Sequence, residues 1–272
     1  MFSPPGFPVH IAVAMSLAAA SVVAALMPLP ASAEAANYAC TDRDSVTRLS
    51  YPLAHMARRL ASGRSVTIVA LGSSSTAGAG ASGPAASYPS RLEAELKARF
   101  PHQAITVLNR GVNGEEAAEM MSRFDDSVAA AHPDVVLWQV GTNAVLRDNP
   151  LGPVDRLVHD GIARIKAIGA DVVLIDPQFA PKVTVKPDAE EMVRHISAAA
   201  KQASVDLFPR FALMRGWHDR DAIPFEAFLS PDLLHMNDWS YGCLAKLLSS
   251  AMVEAVTRPV ASARAGARAT GR

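Results

Sequence analysis

A chain of 272 residues, half of them hydrophobic, is long enough for one domain with a sizeable buried core. Its 26 Lys+Arg balance 26 Asp+Glu, so no charge excess recruits nucleic acid, and none is expected as a partner. The one local cluster of cations, Arg258, Arg264, Arg268 and Arg272, sits among Ala, Gly and Ser and reads as a solvated, disordered tail over residues 257–272.

At the N-terminus, residues 11–27 form a continuous apolar run that Pro28 and Pro30 break. Ala31-Ser32-Ala33 then supplies the small-x-small pattern that precedes signal cleavage. The run falls short of the roughly 20 apolar residues of a membrane-spanning helix. Residues 1–33 are therefore expected to be a cleaved signal peptide, residues 34–256 a single domain, and the mature protein periplasmic or secreted, without stable membrane insertion. The usual basic start is missing, since no Lys or Arg precedes Arg43, which leaves an uncleaved anchor as the alternative. Lipidation of Cys40 fits poorly behind Asn37-Tyr38-Ala39, which are not small aliphatic residues. In an oxidising compartment Cys40 and the other cysteine, Cys243, are expected to form a disulfide tying the N-terminal segment to the last helix. Two buried thiols are the alternative.

Beyond Cys40, runs of Val, Ile and Leu predict buried strands at residues 65–71, 104–109, 134–140, 171–176 and 205–208. Helices are predicted between them at 88–100, 115–131, 153–168 and 187–203, and a last one at about 237–256. Within the second, Ala118, Met121, Phe124 and Val128 recur at helical spacing as one apolar stripe. Repeated strand-helix-strand units predict an α/β three-layer sandwich with a parallel sheet of about five strands flanked by helices.

Ligands of such sheets bind beyond the carboxyl ends of the strands, so the residues that follow each strand matter most. Gly72-Ser73-Ser74-Ser75-Thr76 follows the first strand, Asn109 to Gly114 the second, Gly141-Thr142-Asn143 the third, and Asp232-Leu233-Leu234-His235 comes after the fifth. Together they hold the parts for acyl transfer through a serine. A histidine can take the hydroxyl proton, and a carboxylate can orient the histidine. An unobstructed glycine N–H and an asparagine amide can stabilise an oxyanion.

These residues resemble the blocks of the SGNH hydrolases, also called GDSL esterases and lipases. The first block, Gly-Asp-Ser-x-Thr, is similar to Gly72 through Thr76 with Ser73 in place of Asp, and Ala144 replaces the Asp that often follows the third block. The resemblance implies the flavodoxin-like SGNH fold, Ser74 as nucleophile, and Asp232 and His235 as its partners. It implies an oxyanion hole from the Ser74 N–H, the Gly114 N–H and the Asn143 amide. Ser73 and Ser75 read as turn or cap residues, and Gly111 as a turn glycine with positive φ. The expected activity is hydrolysis of small acyl esters, O-acetyl above all, on a small-molecule or glycan substrate. A lysophospholipase or thioesterase, an O-acyltransferase on the same triad, and a non-catalytic glycan-binding member are the alternatives.

No cofactor or metal is expected. His55, His102, His132, His159, His195 and His218 show no ligand spacing, and Gly78, Gly80 and Gly83 lack the Gly-Lys-Ser/Thr of a phosphate loop. Residues 177–187, with Phe179, Val183 and Val185, are expected to form an apolar wall of the substrate pocket. A monomer is expected.

Overall fold

The computed structural model describes residues 38–258, together with the isolated positions Met1, Phe2 and Gly6. The signal segment expected over residues 1–33, apart from those three positions, and the tail beyond Arg258 lie outside the described residues. Five parallel strands form one sheet: β1 (Val66–Gly72), β2 (Ile105–Gly111), β3 (Val135–Gln139), β4 (Asp171–Ile175) and β5 (Asp206–Phe208), in the order β2-β1-β3-β4-β5. Every residue of β3 is buried, and β1 and β4 are nearly so, which is why these runs show no alternation.

Among the described residues five helices of eight residues or more accompany the sheet: α1 (Ala54–Ala61), α2 (Tyr88–Arg99), α3 (Leu151–Ala167), α4 (Ala189–Ala203) and α5 (Asp238–Thr257). From β1 the chain moves outward through α2 to β2, and from β3 it moves the opposite way through α3 and α4 to β5. Right-handed crossovers therefore place α2 on one face and α3 and α4 on the other. α5 packs on α2, and α3 on α4, completing three layers. Reversal of direction between β1 and β3 opens a crevice at their carboxyl ends, where this topology binds ligands.

The helix expected over residues 115–131 is instead broken into Ala117–Ser122, Phe124–Ser127 and a 3-10 turn at Ala129–Ala131. Arg123 sits at the break with φ −102° and ψ 13°, and its guanidinium folds back onto the Glu115 carboxylate and the Arg110 carbonyl. Ser122, Asp125 and Asp126 favour helix ends over interiors, which lets the chain re-start there. The buried stripe runs through Ala117, Met120, Met121, Phe124 and Val128, while Ala118 is exposed.

At the amino end of the sheet, carboxylates that begin or precede strands anchor the segment before β1. Asp171 accepts from the His55 and Met56 N–H groups at the start of α1, and Asp206 accepts from those of Ser50 and Tyr51. The expected disulfide is present: Cys40 and Cys243 are bonded with Cα atoms 5.3 Å apart, which places Cys40 against α5 and excludes it as a lipid attachment point. Arg258 donates to the Leu49 and Ser50 carbonyls and so joins the fold beyond the last turn of α5. Among the described residues no helix is long and apolar enough to cross a membrane.

Candidate active site

β1 delivers Ser73 and Ser74 to the crevice. Ser73 is buried; its N–H and Oγ both donate to Gln139 Oε1 at the end of β3, at 2.9 and 3.1 Å. Thr76 Oγ1 reaches the same oxygen at 3.3 Å, so one amide at the end of β3 pins the turn that carries Ser74. Ser74 begins a single helical turn, Ser74–Ala77, and stays half-buried at the crevice mouth. As a first-turn residue it has no intrahelical acceptor for its N–H. Where Ser73 and Ala144 depart from the sequence pattern, both side chains are buried, Ser73 taking up Gln139 and Ala144 packing into the core.

His235 Nε2 lies 2.8 Å from Ser74 Oγ, and His235 Nδ1 lies 2.5 Å from Asp232 Oδ2. A carboxylate only accepts, so Nδ1 carries the proton and Nε2 is left to accept from the serine hydroxyl. The other Asp232 oxygen, Oδ1, accepts from Ser230 Oγ at 2.7 Å and from the Leu234 and His235 N–H groups at 2.9 Å each. Partial burial pushes the Asp232 carboxyl upward, but the hydrogen bonds from His235, Ser230 and the Leu234 N–H outweigh it and hold the group well below the usual carboxylate range. Between the two residues, Leu233 adopts φ +56°, a conformation that costs a non-glycine residue about 1–2 kcal/mol. The loop is closed at its base by the Leu229–Met236 bridge, and Asn237 behind it caps α5.

The remaining predicted donors lie on the neighbouring loops. The Val112 N–H donates to the Gly72 carbonyl at 3.0 Å, joining the loop after β2 to the end of β1. Asn143, in the turn Thr142–Leu146 after β3, donates through Nδ2 to the Glu115 carbonyl at 2.8 Å, beside Gly114. Gly114 has φ +81°, a conformation that favours glycine, and Arg147 holds its carbonyl at 2.8 Å. Arg147 and Asn149 also grip Glu116, so this loop is clamped from the β3 side.

Several expectations require correction. Gly111 is not a positive-φ turn residue: it ends β2, and a Cβ there would meet the Ala77 backbone N at 2.1 Å. Close approach of β2 to the Ser74 turn, not backbone freedom, requires glycine. Asn109 and Arg110 belong to β2, not to the loop after it. Val183 is fully buried and cannot line a pocket, Val185 is 75% exposed, and Phe179 is half-buried, stacked on Phe225 with ring centres 5.9 Å apart. The cavity of about 390 Å³ bordered by Phe179, Val185 and Lys186 includes none of Ser74, His235 and Asp232. Sequence spacing also missed that His159 and His195 both approach Asp155, although among the described residues no three or more His, Cys, Asp or Glu side chains are gathered as metal ligands.

The model of the non-GDSL lipase-like family matches residues 39–258. The chain belongs to that family. The family name agrees with Ser73 standing where the GDSL pattern has Asp. Among solved structures, the protein resembles a two-domain esterase (CEX) active on acetylated mannans, at 18% identity and TM-score 0.68, over 79% of this chain and 57% of that one. The match thus spans little more than half of that larger esterase. It resembles a catalytic mutant of Axe2, an acetylxylan esterase from Geobacillus stearothermophilus, at 16% identity and TM-score 0.58, over 71% of this chain and 94% of that one. It also resembles TesA, at 19% identity and TM-score 0.59, over 70% of this chain and 99% of that one. At such identities the likeness establishes the shared fold, the five-stranded parallel α/β sandwich of GDSL/SGNH esterases. No curated protein matches the sequence.

Proposed function

We propose that this member of the lipase-like family is an exported serine esterase that removes small acyl groups, O-acetyl above all, from a small-molecule or glycan ester. The observation that carries this reading is the unbroken run of hydrogen bonds from Ser74 Oγ through His235 to Asp232 at the carboxyl edge of the sheet. Ser74 Oγ attacks the ester carbonyl while His235 Nε2 takes its proton, and Asp232 stabilises the imidazolium. The oxyanion receives the Ser74 and Gly114 N–H groups and the second hydrogen of the Asn143 amide, whose first is held by Glu115. His235 returns its proton to the leaving alcohol, then removes one from the water that releases the acid.

The acetyl preference is supported by the esterases on acetylated mannan and xylan that share the fold. Export is supported by the apolar run ending at Ala31-Ser32-Ala33 and by a disulfide that an oxidising compartment preserves. On this reading the mature protein is one domain from residue 34, monomeric in the periplasm or medium, with no lasting membrane attachment. The test is hydrolysis of p-nitrophenyl acetate, butyrate and octanoate by the mature protein. Wild type and Ser73→Ala should turn over acetate fastest, while Ser74→Ala should lose more than about 10³-fold in kcat. A folded wild type inactive on all three esters, or an active Ser74→Ala, would refute the esterase reading.

A further inference from the structure

The loop carrying Asp232 and His235 is held internally by Asp232, yet it must also be placed against the loops that carry Asn143 and Gly114. Gln178, three residues past β4 and 1% exposed, touches both sides of that problem. Its Oε1 accepts from Thr142 Oγ1 at 3.0 Å, and its Nε2 donates to the Leu234 carbonyl at 3.3 Å. Thr142 immediately precedes Asn143, and Leu234 immediately precedes His235. A third partner decides which way the amide points. Arg210, fully buried, donates through Nη2 to Gln178 Oε1 at 2.9 Å and through Nε to the Asp176 carbonyl at 2.9 Å.

A guanidinium has five donors and no acceptor, so the Gln178 atom facing it must be the oxygen. The amide nitrogen is then forced toward Leu234. Burying a guanidinium costs several kcal/mol unless it is well partnered; the buried Asp176 carboxyl offsets part of that cost through space, and the direct hydrogen bonds of Arg210 go to Gln178 Oε1 and the Asp176 carbonyl. The positive φ of Leu233 gives the loop something to resist, because a strained backbone persists only where its surroundings over-determine it. The Lys182 N–H donates to the Leu233 carbonyl at 3.3 Å, so the segment after β4 grips this loop at two successive carbonyls.

We infer that Gln178, oriented by Arg210, is a positioning residue that holds the His235 loop in register with the turn carrying Asn143. The inference rests on the esterase reading for its kinetic consequence and on the geometry alone for its conformational one. Gln178 touches no reacting atom, so its loss alters the distance from His235 Nε2 to Ser74 Oγ without removing a functional group. A displacement on the order of 1 Å costs up to about 100-fold in rate.

The experiment compares wild type, Gln178→Leu and Gln178→Glu in two ways: p-nitrophenyl acetate kinetics, and solvent exchange of the deshielded His235 Nδ1–H proton followed by NMR. Gln178→Leu keeps the volume and removes all three bonds; Gln178→Glu keeps the two accepted ones and loses the donated one. Both variants should lower kcat about 10- to 100-fold with KM within about threefold, and both should speed exchange of the Nδ1–H proton while remaining folded by circular dichroism. Unchanged kcat and unchanged exchange in Gln178→Leu overturn the inference. So does a Gln178→Glu with wild-type kcat and exchange, since the Leu234 link would then be idle. If wild type hydrolyses no ester, the esterase reading fails, and the exchange measurement still decides whether Gln178 holds the loop. If Gln178→Leu does not fold, Gln178→Glu carries the decision.

Discussion

Asp232→Asn separates the carboxylate's electrostatic part from its structural part, because the two oxygens divide the work. Oδ1 alone accepts the three bonds that shape the loop, from Ser230 Oγ and the Leu234 and His235 N–H groups, while Oδ2 faces only His235 Nδ1. An Asn with its oxygen in the Oδ1 position keeps all three loop bonds and presents its NH2 to Nδ1. The opposite flip would set that NH2 against two backbone N–H groups, so the first orientation wins. Nδ1 must then accept, the ring proton moves to Nε2, and Nε2–H faces Ser74 Oγ with no lone pair to take its proton. Loss of the correct tautomer in a serine triad costs about 10⁴-fold in kcat, equivalent to about 5.5 kcal/mol of transition-state stabilisation. Thermal stability at pH 7 should fall, but less than in Asp232→Ala, because the three loop bonds persist while the charge that strengthens them, and that holds the carboxyl below the usual range, is lost. Asp232→Ala should lose comparable activity and also about 1–3 kcal/mol of stability, because the loop bonds go with the carboxyl. Steady-state kinetics on p-nitrophenyl acetate and thermal melts of the three proteins check this. A kcat for Asp232→Asn within tenfold of wild type, or equal destabilisation by Asn and Ala, would refute the assignment of roles to the two oxygens.

Two further predictions concern stability. The Cys40–Cys243 cross-link spans a sequence separation of 203 residues, and closing so long a loop in the unfolded chain is worth about 5 kcal/mol in the chain-entropy model. The double variant Cys40→Ala with Cys243→Ala should therefore lose roughly 2–5 kcal/mol in urea unfolding, and a loss below about 1 kcal/mol would show that the tether contributes little. Burial pushes the Asp206 carboxyl up to about 6 against the bonds from Tyr51 and Ser50. A folded value raised above the unfolded one contributes stability that is full below pH 4 and is lost as pH rises through about 6. Asp206→Asn keeps an acceptor for the Ser50 and Tyr51 N–H groups and removes the charge. It should flatten the decline in stability between pH 4 and pH 8, and a variant whose decline over that range matches wild type would contradict this account.

The central strands were legible because residues buried on both faces are apolar without interruption. Val135 to Trp138 and Val172 to Ile175 need no partner to declare themselves. α1 was not legible, since its N-terminal N–H groups are satisfied by Asp171, more than a hundred residues away, rather than by a local cap. The helix expected at residues 115–131 was misjudged for a related reason: its break is stabilised by Arg123 reaching Glu115 and Arg110, a contact that periodicity does not encode.

By itself the sequence determined that Ser74, Gly114, Asn143, Asp232 and His235 would stand at one edge of a parallel sheet, because each follows a strand or the last crossover and parallel strands end on a common side. Tertiary structure alone decided which atoms meet. The 2.8 Å approach of His235 to Ser74 brings together residues 161 positions apart. That approach depends on Gln139 pinning the serine turn, on the bare Gly111 beside Ala77, and on a loop held in a strained conformation by partners from other elements. Order along the chain sets which side of the sheet a residue reaches; packing of side chains between loops sets the last few ångströms, and a proton transfer from serine to histidine is sensitive to those.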